Sequence, residues 1–392
     1  MGHKPRYELE CLAFVVLAGC AAGGPPEQRS GDHSAGQPVA SELTAGYLDA
    51  HRLDGQALSA FSRFALPEQD PGPIPVGMNV FVTGNPEWVS RPTSFGMMMQ
   101  GGGTDNVNAL KWMIERSGGG DVVVLRTDAR SGYNDFIYST LGGVNSVRTL
   151  VVDTIELANS EYVEKAVMNA EMVFIAGGDQ TTYFDNWQDS KLRNALHYLA
   201  YIKQIPIGGT SAGMAVLSRL SYLPVNLSAI SPEALADPFH ENVDFIRDNF
   251  LYLPFMLFTI TDTHWSERGR SGRTIAFLAR IIQDGLAPYW LAKGIAADER
   301  TALAIDGRGN ARIFGAEARN DFAYFLRPAS RPDRCVAGST LDWKNAIHFY
   351  KVKGFEDGRN TFNLFTWSGT GGESLDVNVN DGVLSADIQS PN

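Results

Sequence analysis

The sequence predicts an α/β fold in which a mostly parallel sheet is flanked by helices. From about Val76 onward, apolar strand-like runs alternate with amphipathic helical stretches, and glycine clusters follow three of the runs. This alternation is typical of βαβ units, and sheets built from them carry their sites at the carboxyl ends of strands. Functional residues are therefore expected directly after the apolar runs.

The elements follow one another in a regular order along this region. The predicted strands are residues 95–99, 122–125, 150–152, 172–176 and 205–208. The predicted helices are residues 106–116, 160–170, 191–202 and 212–220. After Asp321 the pattern changes to short stretches rich in β-branched and aromatic residues, separated by Gly, Asn and Asp. Such stretches favour strands and turns, so a β-rich C-terminal appendage is expected.

Four regions are expected along the chain. Residues 1–20 place Lys4 and Arg6 before a short apolar run and end in Leu-Ala-Gly-Cys, which is typical of an export signal with a lipobox. The protein is then an exported lipoprotein, periplasmic or on the cell surface, held to the membrane only through a lipid on Cys20. An ordinary signal peptide or a wrongly assigned start of the chain is the alternative. The remaining regions are a tether, the main domain and the β-rich C-terminal region, at residues 21–75, 76–320 and 321–392.

Composition excludes several classes of protein. The chain has 33 Lys and Arg against 44 Asp and Glu, a net charge of -11 that works against non-specific binding to nucleic acid. Its three cysteines, Cys11, Cys20 and Cys335, are too few for a disulfide framework and do not predict a metal site. No nucleic-acid partner, metal or other cofactor is expected.

A G-x-S-x-G motif, Gly209-Thr210-Ser211-Ala212-Gly213, lies between the last predicted strand and a helical stretch. This is the context of a nucleophile elbow, where small neighbours let the chain turn sharply and expose the serine hydroxyl. The N–H of Ala212, at the start of a helix, would then be free to stabilise an oxyanion. A tight glycine-rich turn with an incidental serine is the alternative.

A serine nucleophile needs a base, and the chain has seven histidines. Three of them lie in the predicted signal and tether, and His197 is expected on a surface helix. Of the other three, His240, His264 and His348, only His264 stands out. It follows the apolar run 255–260 and so occupies another strand end.

Four blocks of the sequence together resemble a known family. They are Gly177-Gly178-Asp179-Gln180, the elbow motif, residues 262–273 and residues 294–303. In this order they resemble the cyanophycinases and the related peptidase E, which are serine peptidases of family S51. The resemblance covers about residues 95–315. It implies a class I glutamine-amidotransferase-like sheet with flavodoxin-like layering.

The resemblance also implies roles for the strand-end residues. Ser211 would attack the scissile carbonyl, His264 would act as general base and acid, and Glu299 would orient the imidazole. Asp298 is the alternative acid. The oxyanion would be bound by the N–H of Ala212 and by an N–H of the glycine cluster, Gly102 or Gly103.

Five further positions match the family's substrate-binding residues: Gln180, Asp262, Arg268, Arg270 and Arg273. Guanidinium groups suit substrate carboxylates because they bind them bidentately. A solvated helix face is the alternative for the arginines. Thr263 stands where the family usually has Gln, which weakens the inference to an aspartyl-arginine substrate. Residues 221–252 form an insertion, either a different substrate cleft or a surface loop.

The resemblance predicts a serine-type peptidase that cleaves an Asp-containing peptide or a β-aspartyl-arginine isopeptide through an acyl-enzyme. A cyanophycin-like polymer and short peptides are both candidate substrates, and a homodimer is compatible with the family. The alternatives are a peptidase E-like Asp dipeptidase and a non-catalytic surface lipoprotein that keeps the fold. A glutaminase is disfavoured because it needs a cysteine nucleophile. An α/β-hydrolase esterase is disfavoured because its acid precedes its histidine in the chain.

Overall fold

A computed structural model describes residues 70–224, 226–243, 250–386 and 388. The predicted signal, with Cys20, and nearly all of the predicted tether lie outside these described residues.

Sixteen strands are found in the described part of the chain. They are β1 (Val80–Gly84), β2 (Gly96–Gln100), β3 (Asp121–Arg126), β4 (Ser146–Val151), β5 (Met172–Ile175), β6 (Pro206–Thr210), β7 (Thr259–Asp262), β8 (Lys293–Ala297), β9 (Ala302–Asp306), β10 (Asn310–Phe314), β11 (Phe322–Pro328), β12 (Trp343–Lys353), β13 (Thr361–Asn363), β14 (Ser368–Thr370), β15 (Gly372–Asn380) and β16 (Val383–Leu384).

The same part of the chain contains nine α-helices and two π-helical turns. The α-helices are α1 (Val107–Arg116), α2 (Gly132–Asp135), α3 (Ile155–Ala158), α4 (Glu161–Asn169), α5 (Gln180–Trp187), α6 (Lys191–Tyr198), α7 (Ala212–Ala215), α8 (Ser231–Ala236) and α9 (Ser271–Gln283). The π-helical turns, Phe136–Leu141 and Leu199–Lys203, continue α2 and α6.

The larger sheet has ten strands in the order β1-β4-β3-β5-β6-β2-β9-β10-β13-β14. Its centre, from β4 to β2, is parallel, and β1 and β9 join the two sides of this centre antiparallel. Strands β3, β4 and β5 are buried along their whole length, as expected of parallel strands covered on both faces. The predicted α/β fold is therefore confirmed.

The smaller sheet has six strands in the order β16-β15-β12-β11-β8-β7. Only β7 and β8 pair in parallel. Helix α9 packs its apolar side against this sheet, in a core that includes Trp265, Tyr324 and Phe349. The β-rich C-terminal region is confirmed, and its strands extend both sheets. The predicted domain boundaries themselves stay predictions.

The helix predicted over residues 212–220 is shorter than expected, since α7 ends at Ala215. Beyond it the hydroxyl of Ser218 donates to the carbonyl of Leu220. Leu220 in turn forms a parallel β-bridge with Ile260 of β7, a strand of the smaller sheet. The chain therefore leaves the helix early in order to link the elbow to the smaller sheet. No helix among the described residues is long and apolar enough to cross a membrane.

Candidate active site

Ser211 lies at the turn between β6 and α7 and has the backbone angles φ 54° and ψ -118°. Positive φ is costly for a residue with a side chain, about 1–3 kcal/mol, and such strain is concentrated at functional sites. The two flanking glycines have no room for a side chain. A Cβ added to Gly209 would lie 2.5 Å from the carbonyl carbon of Gly213. A Cβ added to Gly213 would lie 2.0 Å from the carbonyl oxygen of Ile175. The elbow geometry therefore requires both glycines.

His264 follows β7 and lies against the serine. Its Nε2 is 2.7 Å from Oγ of Ser211, and only 7% of the residue is exposed. The backbone N–H of His264 donates to the carbonyl of Gly101 over 2.7 Å. This bond joins the smaller sheet to the glycine loop, residues 101–106, that follows β2 of the larger sheet. The ring is therefore held from both sheets.

Glu299 lies on the other side of the imidazole. Its Oε1 is 2.7 Å from Nδ1 of His264, and its backbone N–H donates to the carboxylate of Glu267. Asp298, the alternative acid, points elsewhere: its carboxylate accepts the N–H of Ser266 and the hydroxyl of Tyr324. Burial raises the pKa of Asp298 to about 6. The geometry thus pairs Glu299, and not Asp298, with the histidine.

The pKa of His264 lies below its usual value. Burial is the main cause of the decrease, and the nearby charges of Arg268 and Arg270 lower it further. The hydrogen bond and the charge of Glu299 act in the opposite direction. Since the net shift is downward, the imidazole is neutral at pH 7 and Nε2 can accept a proton from Ser211.

The predicted oxyanion groups surround this chain of hydrogen bonds. Gly102 and Gly103 have φ values of 105° and 71°, in the region that favours glycine. An added Cβ on Gly102 would lie 2.2 Å from Cε1 of His264, and one on Gly103 would lie 2.9 Å from Cβ of Glu299. The glycine loop therefore packs directly on the His-Glu pair. Ala212 begins α7 directly after the serine.

Gln100, which the sequence analysis did not single out, organises the glycine loop. The residue is fully buried, and its Nε2 lies within 3.5 Å of four acceptors. Its Oε1 accepts the N–H of Asn106 over 2.8 Å, and its backbone carbonyl accepts the N–H of Ser211 over 3.0 Å. One side chain thus connects the loop to the elbow. Its position directly after the predicted strand 95–99 is the sequence feature that could have identified it.

A pocket of about 770 Å³ opens above the serine. It is lined by backbone and side chains of the glycine loop, the elbow, the β3–α2 loop and the His264 loop. The lining residues are Gly102, Gly103, Thr104, Asp105, Val107, Arg126, Arg130, Gly132, Tyr133, Phe136, Gly177, Gly178, Thr210, Ser211, His264 and Arg268. The site can therefore hold an extended substrate next to the nucleophile.

Of the five predicted substrate-binding residues, Arg268 lines this pocket and the other four do not. The carboxylate of Asp262 is bound by Arg273 through two hydrogen bonds of 2.9 and 2.5 Å. Arg270 donates to the carbonyl of Thr263, and Gln180 to that of Tyr222. These side chains are bound to protein groups in the structure, while their predicted role in binding substrate stays a prediction.

His197, which was expected on the surface, is buried, so that expectation was wrong. Its Nε2 accepts the N–H of Tyr252, and burial lowers its pKa to about 3. The helix that carries it turns this face toward Tyr252, at the end of the 221–252 insertion, a contact that local periodicity does not reveal.

Comparison with known proteins gives one sequence match and several structural ones. Residues 102–229, about a third of the chain, match the model of Peptidase family S51. No curated protein matches the sequence. Similar solved structures include a peptidase from an acI-B1 actinobacterium, with 15% identity, a TM-score of 0.43, and coverage of 69% of this chain and 98% of that one.

A second similar structure is a peptidase E candidate from Listeria monocytogenes EGD-e, with 13% identity and a TM-score of 0.36. The similarity covers 57% of this chain and 99% of that one. The matched family segment contains Gly102, Gly103 and the whole elbow. The resemblance inferred from the sequence blocks is thereby confirmed, and the segment that matches the model of Peptidase family S51 carries the candidate nucleophile.

Proposed function

We propose that the chain is a serine-type peptidase with Ser211 as nucleophile, His264 as general base and acid, and Glu299 as the group that orients the imidazole. One observation carries the proposal. The three side chains form a continuous chain of hydrogen bonds, 2.7 Å from Oγ to Nε2 and 2.7 Å from Nδ1 to the carboxylate. This is the arrangement that activates a serine for acyl transfer.

The first half-reaction forms an acyl-enzyme. Oγ of Ser211 attacks the scissile carbonyl carbon while its proton passes to Nε2 of His264, and the resulting imidazolium is stabilised by Glu299. The proton then moves from Nε2 to the leaving amine as the C–N bond breaks. In the second half-reaction water gives a proton to Nε2 and attacks the ester carbon, and Ser211 regains its proton as it leaves.

The oxyanion formed in each half-reaction is stabilised by backbone N–H groups. Ala212 at the start of α7 supplies one, and Gly102 or Gly103 supplies the other. Removal of a single donor of this kind typically lowers kcat by about 10²- to 10³-fold. The packing of Gly102 on the imidazole supports this assignment, because it brings the loop backbone beside the reacting atoms.

The proposed substrate is a peptide that contains an Asp residue, in α- or β-linkage. Arg268 supports this choice because it is exposed and lines the pocket. A guanidinium group in a concave site is suited to a carboxylate. A cation-binding role for Asp262 toward an arginine branch has less support, since that carboxylate is held by Arg273.

The experiment combines active-site labelling with hydrolysis. Protein that begins after Cys20 is treated with a fluorophosphonate probe, and the labelled peptide is identified by mass spectrometry. The same preparation is tested on short α- and β-linked Asp peptides and on cyanophycin. We expect labelling at Ser211 and cleavage of Asp peptides, both lost in Ser211→Ala and both kept in Ser94→Ala, which removes an exposed serine outside the pocket lining. Absence of labelling together with Ser211-independent cleavage would refute the proposal.

A further inference from the structure

The side chains expected to bind substrate are largely engaged by a segment of the same chain. Nη1 of Arg273 donates to the hydroxyl of Ser228 over 2.8 Å and to the carbonyl of Ala229 over 3.1 Å, while Nε and Nη2 of the same guanidinium group donate to Asp262. Nε2 of Gln180 donates to the carbonyl of Tyr222. The beginning of the 221–252 insertion thus satisfies these donors, and substrate recognition beyond Arg268 has to involve groups outside the expected set.

Arg126 is such a group. It ends β3, is only 5% exposed and lines the same pocket as Ser211. Its Nε is bound to the carboxylate of Asp128, and its Nη1 donates to the carbonyl of Arg130 over 3.3 Å. Within the described part of the chain Nη2 has no protein acceptor. The guanidinium is therefore fixed on two sides by its own loop, and its third nitrogen is left to bind a ligand in the pocket that Arg126 lines.

The sheet register places Arg126 at a useful distance from the nucleophile. Leu125 pairs with Ile175, which pairs with Gly209, so Leu125 and Gly209 are two strands apart. At about 4.8 Å per strand spacing this is about 10 Å. An extended peptide covers that distance in about three residues. A substrate group that contacts Arg126 therefore lies within about three residues of the bond that Ser211 attacks.

The charges along the pocket favour an anion. Arg126, Arg130 and Arg268 line it, although the chain as a whole carries a net charge of -11. Asp105 is the acidic residue of the lining. Its carboxylate accepts from Nε2 of Gln100 over 3.3 Å and also from the hydroxyl of Tyr133, so it is bound by neutral donors. Asp128 is not part of the lining, but its carboxylate forms ion pairs with both Arg126 and Arg130. Three guanidinium groups therefore stand against two carboxylates, which leaves one positive charge in excess.

We propose that Arg126 is a specificity-determining residue that binds a substrate carboxylate within about three residues of the scissile bond. The inference rests on the proposed function, because it assigns a subsite to the same serine peptidase. The carboxylate has two sources, the side chain of an acidic residue or the C-terminus of a short peptide. A fixed guanidinium in a concave site binds either through charge-assisted hydrogen bonds, and it discriminates against the neutral amide.

The test uses matched peptides that differ in a single carboxylate. One pair exchanges Asp for Asn, and the other exchanges a free C-terminus for its amide. In the wild-type protein we expect one of these changes to lower kcat/KM by about ten- to a hundredfold, the range for loss of a hydrogen bond to a charged group. In Arg126→Gln the same change should have less than about a threefold effect. The pair that responds identifies the source of the carboxylate.

Two controls make the outcomes distinct. Arg126→Lys keeps the charge without the planar fork and should keep part of the preference, whereas Arg331→Gln removes an exposed charge outside the pocket lining and should keep all of it. Fluorophosphonate labelling of Arg126→Gln, with its thermal unfolding, shows whether the serine site is folded. If the wild type labels at Ser211 but neither pair differs, or if Arg126→Gln keeps the full preference, the subsite is refuted and the peptidase stands. If the wild type neither labels nor cleaves, the proposed function itself fails.

Discussion

Replacing Glu299 with Gln measures how much the histidine depends on its carboxylate partner. Oε1 lies 2.7 Å from Nδ1 of His264, so the contact becomes a charge-assisted hydrogen bond once the ring accepts the serine proton. Such bonds contribute about 1.5–3 kcal/mol. At about 1.4 kcal/mol per factor of ten, the expected decrease in kcat/KM is about 10- to 150-fold. A larger decrease follows if the amide of Gln also favours the wrong imidazole tautomer.

The same variant should change the pH profile in a defined direction. Burial lowers the pKa of His264 and Glu299 raises it, so removal of the carboxylate lowers the pKa further. A general base acts only in its neutral form, and activity is lost as the pH falls through this pKa. The acid limb of kcat/KM in Glu299→Gln is therefore expected at lower pH than in the wild type, and the maximal kcat/KM is expected to be lower.

The assay is kcat/KM on the best Asp peptide, measured across the acid limb for the wild type and Glu299→Gln. Glu317→Gln serves as the control, since that side chain is 59% exposed and paired with Arg359 outside the pocket lining. Full activity in Glu299→Gln together with an unshifted acid limb would refute the role of Glu299. A shift of the limb to higher pH would refute the electrostatic account of the pKa of His264.

Two further predictions concern the fit of the loop and the neighbouring acid. Gly102→Ala would place Cβ 2.2 Å from the ring of His264, so we expect loss of labelling and hydrolysis with a retained circular dichroism spectrum. The control Gly307→Ala should stay active, because its Cβ would have no neighbour closer than 4.0 Å. Equal activity of the two variants would contradict the packing of Gly102 on His264. Burial raises the pKa of Asp298 from 3.8 to about 6, so between these values the folded state keeps a proton that the unfolded state has lost. The free energy of unfolding should fall by up to about 3 kcal/mol as the pH rises through this window, and denaturant titrations should show this dependence in the wild type but not in Asp298→Asn.

Much of the fold could be predicted because its signals are local. The five predicted strands of the parallel centre are runs of buried residues, and the last residue of each strand lies within two positions of the predicted last residue. The G-x-S-x-G elbow was recognisable because its glycines are required by local packing, as in the close approach of Gly213 to Ile175. The length of the helix after the elbow was overestimated, because its end is determined by a bridge from Leu220 to a strand 40 residues away in sequence.

The substrate side of the site was harder to predict, because its side chains depend on long-range pairing. Arg273 and Asp262 have the residue types of substrate-binding groups, but whether they meet a ligand or each other depends on where α9 packs. Arg126 drew no attention in the sequence because it ends an apolar run outside the four motif blocks. A search for polar residues at every strand end, as for Gln100, would have included it.

The position of Glu299 between β8 and β9 explains why catalysis and recognition are separable in this fold. Strand β8 belongs to the smaller sheet and β9 to the larger one, so the short link between them joins the sheets. Within that link the N–H of Arg300 donates to the carbonyl of Gly102, and the carbonyl of Thr301 accepts the N–H of Gly101. The acid and the glycine loop are therefore positioned by one junction. Because Arg126 ends β3, which is separated from β9 by the three strands β5, β6 and β2, its loop can change the substrate preference while the junction keeps the triad in place.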